Sequence, residues 1–214
     1  MALPISLQPG QKQLFLDDFI VQETHKLNRT MHRPVKSDPI LKADQPSDGS
    51  LITLVSAPMW IPDEGVYKLP YEVRRDEQNG NEMALAISTD GLNWEKPNLG
   101  LVNFEGSTKN NLFPTPDNRR LWHIVYDPDD SDPNRRYKGF LTIAGGRIPV
   151  VSSDCLNWTK LGHDPADFPS GDAGTLTYDR DNKQFLGLLK FKSEYGRAYN
   201  LTTSTDFENW TEPR

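Results

Sequence analysis

Ser88-Thr-Asp90-Gly-Leu-Asn93-Trp94 returns as Ser152-Ser-Asp154-Cys-Leu-Asn157-Trp158 and again as Ser204-Thr-Asp206-Phe-Glu-Asn209-Trp210. Four positions of the seven are fixed in every copy, and one of them is the rare Trp. The copies stand roughly 50 to 65 residues apart. A self-similar unit of that length implies stacked supersecondary units whose faces are buried against one another.

The sequence before each copy repeats in kind. It runs through an apolar or alternating stretch, an Asp-rich turn, a second stretch, a loop and a third stretch. The second copy shows this as "LWHIVYDPDDSDPNRRYKGFLTI", Gly145-Gly146 and "RIPVVSSDCLNW". Runs this short, bounded by Asp, Asn, Gly and Pro, predict strands rather than helices. Each Trp opens a short fourth strand, as in "WEKP", "WTKL" and "WTEP". Four antiparallel strands per unit make a β-propeller blade. The predicted fold is therefore all-β and almost free of helix, with blades at about 47–97, 107–161 and 168–213 after an N-terminal arm over 1–37. Within that arm "KQLFLDDFIVQE" predicts a strand able to complete the last blade.

The repeated heptad has a mechanical role. Its Asp can accept hydrogen bonds from backbone N–H groups two residues on, in an Asx turn. Gly91 supplies a positive φ at no steric cost. Cys155 and Phe207 replace it in the other copies, so those turns are expected either to differ or to carry strain. The three Trp are expected to be buried wedges between blades.

Composition narrows the function classes. The chain of 214 residues carries a net charge of −6, which disfavours nucleic acid and anionic membranes as partners and is compatible with sugars. The single cysteine, Cys155, excludes an intrachain disulfide framework. No apolar run is long enough to span a membrane as a helix. The N-terminus lacks the pattern of an export signal, so the expected location is cytoplasmic. Three blades do not close a ring. The remaining blades of a longer chain, or self-association, are expected to cover the faces an open arc leaves bare.

The segments "LFLDDFIVQETHKLNRTMHRPVK", "STDGLNWEKPNLGLVNFEGSTKNNL", "DPDDSDPNRRYK" and "TSTDFENWTEP" resemble bacterial family-32-like glycoside hydrolases. Those are five-bladed propellers related to invertases and arabinanases, and the heptad resembles the Asp-box of sialidases. The resemblance implies hydrolysis of an oligosaccharide by paired carboxylates, with no cofactor. The fructosidase motif Trp-x-Asn-Asp-Pro-Asn is absent, as are Arg-Asp-Pro (Arg75-Asp76 is followed by Glu77) and Glu-Cys. No catalytic residue transfers by motif. A non-catalytic propeller that binds glycans or protein through the same mouth is the alternative.

Propeller connectivity places the candidates. The loops entering each inner strand, and those joining second to third strands, surround one mouth of the axial channel. Asp48 beside Gly49 and Asp172 beside Gly171 are the candidate base, nucleophile or stabiliser, and Glu194 beside Tyr195 is the candidate general acid. Arg75, Asp76, Arg147, Arg197 and His32 are the candidate substrate contacts. The histidines show no metal-ligand spacing, and no metal is expected. The Asp-rich hairpins holding Asp63, Glu64, Asp127, Asp130 and Asp179 fall on the opposite face.

Overall fold

The computed structural model describes residues 5–10, 13–74, 81–162, 174–194 and 196–212. The chain divides into two units, Met1–Asp38 and Pro39–Arg214. The described residues of the first unit form turns and irregular backbone without a strand. Leu14, Phe15, Leu16 and Phe19 are exposed there. Among the described residues of the stretch predicted as a strand, 13–23, none is in a strand. Arg29 donates to the carboxylate of Asp18 and to the carbonyl of Asp17.

The second unit is built from three antiparallel sheets. The first holds β1 (Leu51–Leu54), β2 (Met59–Ile61), β3 (Val66–Arg74), β4 (Asn81–Ser88) and β5 (Leu112–Phe113). The second holds β6 (Leu121–Tyr126), β7 (Tyr137–Ile143), β8 (Gly146–Ser152) and β9 (Thr159–Lys160), in that order. The third holds β10 (Gly174–Asp179), β11 (Gln184–Ser193) and β12 (Gly196–Ser204). Its outer edge is started by Thr211, whose N–H donates to the Thr203 carbonyl at 2.9 Å. Among the described residues the only helical pieces are three short 3-10 turns, and no helix is long and apolar enough to cross a membrane.

Two departures from regular blades matter later. The inner strand of the first sheet is split: β1 and β2 both pair with β3, either side of residues 55–58. Its outer strand is split too. Glu95 bridges Ile87, the chain then leaves the sheet, and Leu112–Phe113 returns to pair with Ala84 and Met83. The excursion brings Val102 and Phe104 over Tyr71, Val73, Ala84 and Ala86, so this face of the first sheet is covered from within the same unit.

Side chains of adjacent sheets form the cores. Met83, Leu85 and Phe113 meet Leu121, Leu141, Val150 and Cys155 between the first and second. Phe140 and Val151 meet Phe185, Leu189 and Phe207 between the second and third. A buried lysine recurs at each junction. Lys68 lies 5.2 Å from the ring centre of Tyr137 on the next sheet, and Lys138 lies 5.3 Å from that of Phe185. Glu64 neutralises the first at 2.7 Å, and Asp127 and Asp130 the second, each at 2.9 Å. These hairpin acids serve packing: a buried ammonium needs a paired charge, and an aromatic face adds to its stabilisation.

The three heptads fold into one geometry. In the first, Asp90 Oδ1 accepts from the N–H groups of Leu92 and Asn93, both at 2.8 Å, and Oδ2 accepts from Asn93 Nδ2 at 2.7 Å. Asp154 and Asp206 repeat every bond. Hydrogen bonds from Asn93 hold the Asp90 carboxyl below its ordinary range. At Asp206 partial burial works upward, but bonds from Asn209 and Glu208 outweigh it and leave the carboxyl at about 2. The fourth residue of the heptad is left-handed in all copies, with φ of 74° at Gly91, 71° at Cys155 and 65° at Phe207. The turns do not differ, so Cys155 and Phe207 carry the strain of about 1–2 kcal/mol. Both are wholly buried in the junction cores, which offsets it. At Gly91 the matching space is occupied by the Tyr67 ring. Each Trp turns its indole N–H back to the carbonyl three residues earlier. The three are equivalent but half-buried rather than buried; the deep position belongs to residues 155 and 207.

Candidate functional site

The inner strands of all three sheets converge on a cavity of about 380 Å³, lined by residues 53–57, 122–124 and 174–176. Two irregularities facing each other open it. On one side is the gap between β1 and β2. On the other, the β6–β7 register shifts between Trp122 and Val125, a bulge centred on His123 with φ of 57°. The two are stitched together: His123 N–H donates to the Val55 carbonyl at 2.9 Å and Ile124 N–H to Ser56 Oγ at 2.8 Å. The bulge breaks side-chain alternation, so three consecutive residues of β6 reach one cavity. The third wall begins at Gly174. A Cβ there would sit 2.7 Å from the Leu188 carbonyl and 3.3 Å from His123 Nε2, so only glycine leaves room in front of the imidazole.

Polar groups hold the Trp122–His123 wall. Trp122 Nε1 donates to Glu72 Oε2 at 2.8 Å, and Arg120 Nε lies 3.5 Å from Glu72 Oε1. Glu72 pairs with Thr53 in the β1–β3 register and is buried, and it is not among the residues lining the cavity. The Arg147 guanidinium lies 5.5 Å from the Trp122 ring centre and Nη1 donates to the Gly146 carbonyl. His123 is 8% exposed. Burial, reinforced by the Arg147 charge, pulls its pKa down to about 4, so the ring is neutral near pH 7. Its Nε2 has no hydrogen-bond partner among the described residues.

The chain has the propeller fold of glycoside hydrolases. It is similar to a fructofuranosidase from Schwanniomyces occidentalis complexed with fructosylnystose, at TM-score 0.52 and 12% identity over 76% of this chain and 34% of that one. It is likewise similar to the β-fructofuranosidase of that organism complexed with fructosyl-erythritol, at TM-score 0.51 and 16% identity, over 75% and 33%. The chain thus spans about a third of the length of these structures, and its three sheets match part of a five-bladed propeller. No protein-family model matches it, and no curated protein does. At such identity the likeness concerns fold, not chemistry.

The propeller places the predicted residues unevenly. Asp48 is 0% exposed. Its Oδ1 accepts from the Tyr71 hydroxyl at 3.0 Å; its Oδ2 accepts from the backbone of Asp44 and Gln45 and from Lys96 Nζ at 2.6 Å. Asn111 Nδ2 donates to the same Tyr71 hydroxyl at 2.7 Å, and burial pushes that phenol up. The Lys96 ammonium also binds the Lys42 carbonyl and Asp44, whose carboxyl it holds below the ordinary range. Both oxygens of Asp48, expected to face the mouth, are thus filled by neighbouring groups. Arg147 is also fully buried, so it backs Trp122 instead of meeting solvent. Glu194 and Arg197 are exposed around the β11–β12 hairpin, apart from the cavity lining. His32 is exposed in the first unit. Asp172, Arg75, Asp76 and Tyr195 lie outside the described residues. The sequence reading passed over Trp122, His123 and Glu72. The only available signal was a histidine interrupting the apolar run "LWHIVY".

Proposed function

We propose that this propeller takes up a neutral oligosaccharide in its axial cavity, with Trp122 as the platform. One observation carries the proposal: the inner strands of three blades leave about 380 Å³ between them, walled by an indole fixed through Glu72 and by a neutral imidazole. That volume falls in the range of small-molecule sites, and a mostly apolar wall with few fixed polar groups is their usual chemistry. No carboxylate is among the residues described as lining it, which favours binding as the primary activity.

Hydrolysis is the second reading, supported by the fold shared with fructofuranosidases. It needs two carboxyl groups flanking the glycosidic bond. With both Asp48 oxygens held by neighbours, Asp172 and Glu194 are the sequence candidates that remain, and Glu72 is a further carboxylate, bonded to Trp122 of the cavity wall. The experiment is calorimetric titration of the full-length protein with fructosylnystose and a panel of neutral oligosaccharides, together with an assay for released reducing sugar. Trp122→Ala is expected to weaken binding about tenfold or more, and Trp60→Ala, on β2 outside the cavity lining, to leave it unchanged. Absence of binding across the panel overturns the proposal. Sugar release that Asp172→Asn abolishes establishes the second reading.

A further inference from the structure

We propose that His123 is the hydroxyl anchor of the axial cavity: its Nε2 is a built-in hydrogen-bond site for a polyol group of the ligand. The inference rests on the cavity reading and adds to it the atom that orients the ligand.

Several independent features converge on this side chain. It is more than nine-tenths buried, yet its Nε2 meets no partner among the described residues. Buried polar atoms nearly always find one, so an unpartnered atom on a residue that lines a cavity points to an external partner. Its backbone occupies the left-handed region, uncommon for residues other than glycine, and the bulge that imposes this re-aims the side chain. The residue opposite is Gly174, where a methyl group would approach Nε2 to 3.3 Å and would also collide with the Leu188 carbonyl. Any larger residue at 174 would press a side chain against the ring nitrogen, so glycine is required opposite it. The packing of Trp122 at 5.9 Å between ring centres fixes the imidazole from the side.

The chemistry selects the ligand class. A neutral imidazole offers one N–H and one lone pair, and either tautomer at Nε2 complements a hydroxyl, which both donates and accepts. A carboxylate or phosphate would favour imidazolium, but the ring is buried beside the Arg147 cation, which opposes protonation. A vicinal diol of a neutral sugar meets these conditions.

The test uses the complete protein and two probes, glycerol as a minimal polyol and fructosylnystose as an oligosaccharide. In a ¹⁵N-histidine-labelled sample each probe is expected to move the His123 Nε2 resonance and leave those of His25 and His32 in place. His123→Asn tolerates the positive φ but ends short of the Nε2 position, and is expected to bind fructosylnystose at least about tenfold more weakly. His123→Gln, whose amide reaches that position, is expected to recover to within about threefold of wild type. Equal binding by wild type and His123→Asn, or a His123 resonance unmoved by either probe, overturns the anchor while leaving the Trp122 platform standing. If glycerol moves the resonance but no oligosaccharide binds, the anchor holds and the oligosaccharide reading fails.

Discussion

Asp48 and His123 are both deeply buried, polar and placed at inner strands of the same unit, but their surroundings are opposite. Asp48 has two backbone N–H groups, a phenol and an ammonium on its two oxygens. His123 lines the cavity and has a ring nitrogen with no partner among the described residues. A fully satisfied buried group is bound by its neighbours and serves stability. One left unsatisfied costs stability, and so marks a place where a ligand completes the structure. The sequence suggests the reverse assignment, since an Asp beside Gly at a loop mouth looks catalytic and a His in an apolar run looks like core.

The largest expected effect tests the Asp48 side. Asp48→Asn removes one partner of a buried ion pair and leaves Lys96 without its main counter-charge. The expected loss is about 3 kcal/mol, the low end of the range for such deletions, because Asp44 still holds the lysine. Urea unfolding measures it. Adding Lys96→Met should restore most of that loss, because a pair replaced as a whole leaves no orphaned charge. A single variant as stable as wild type would show that Asp48 is not the lock its contacts describe.

The second effect tests the His123 side through pH. A free histidine titrates near 6.5, and His123 in the folded chain at about 4. Between those values the unfolded chain binds a proton that the folded one does not. Stability therefore falls as the pH drops from about 6.5 to about 4, by at most about 3.5 kcal/mol at about 1.4 kcal/mol per pH unit. The carboxylates of the repeated turns act in a separate window: Asp206, at about 2 when folded, loses its contribution as pH falls below about 4 towards 2. His123→Asn should flatten the upper window and leave the lower one intact. An unchanged upper slope would place the titration elsewhere.

This contrast also explains what was legible. The heptads gave the blades, because their Asp, Asn and Trp contacts are local and every bond closes within seven residues. Even the strained positions could be located from Gly91 and its replacements, although not that burial would offset their φ. The site was not legible in the same way. Asp48 meets Lys96 and Tyr71 across an excursion inside an outer strand that no local pattern announces. The cavity depends on a gap in one inner strand facing a bulge in the next, a coincidence between blades that a reading of one strand at a time does not see. His123 therefore looked like an ordinary member of its strand.

The smallest expected effect is the most discriminating. At pH 7.5 both the folded and unfolded forms hold His123 neutral, so the titration contributes nothing. His123→Asn then deletes no hydrogen bond from the imidazole Nε2, because that atom has no partner among the described residues. Asparagine also tolerates a positive φ at least as well as histidine. Against this stands the lost packing of the ring on Trp122, worth about 1 kcal/mol for an aromatic pair. The net change is expected to lie within about 1 kcal/mol of zero by thermal or urea unfolding, in contrast to the loss at Asp48. A destabilisation as large as that of Asp48→Asn would mean the imidazole is a structural member after all. A near-neutral melt together with weakened oligosaccharide binding would separate the two buried groups by role.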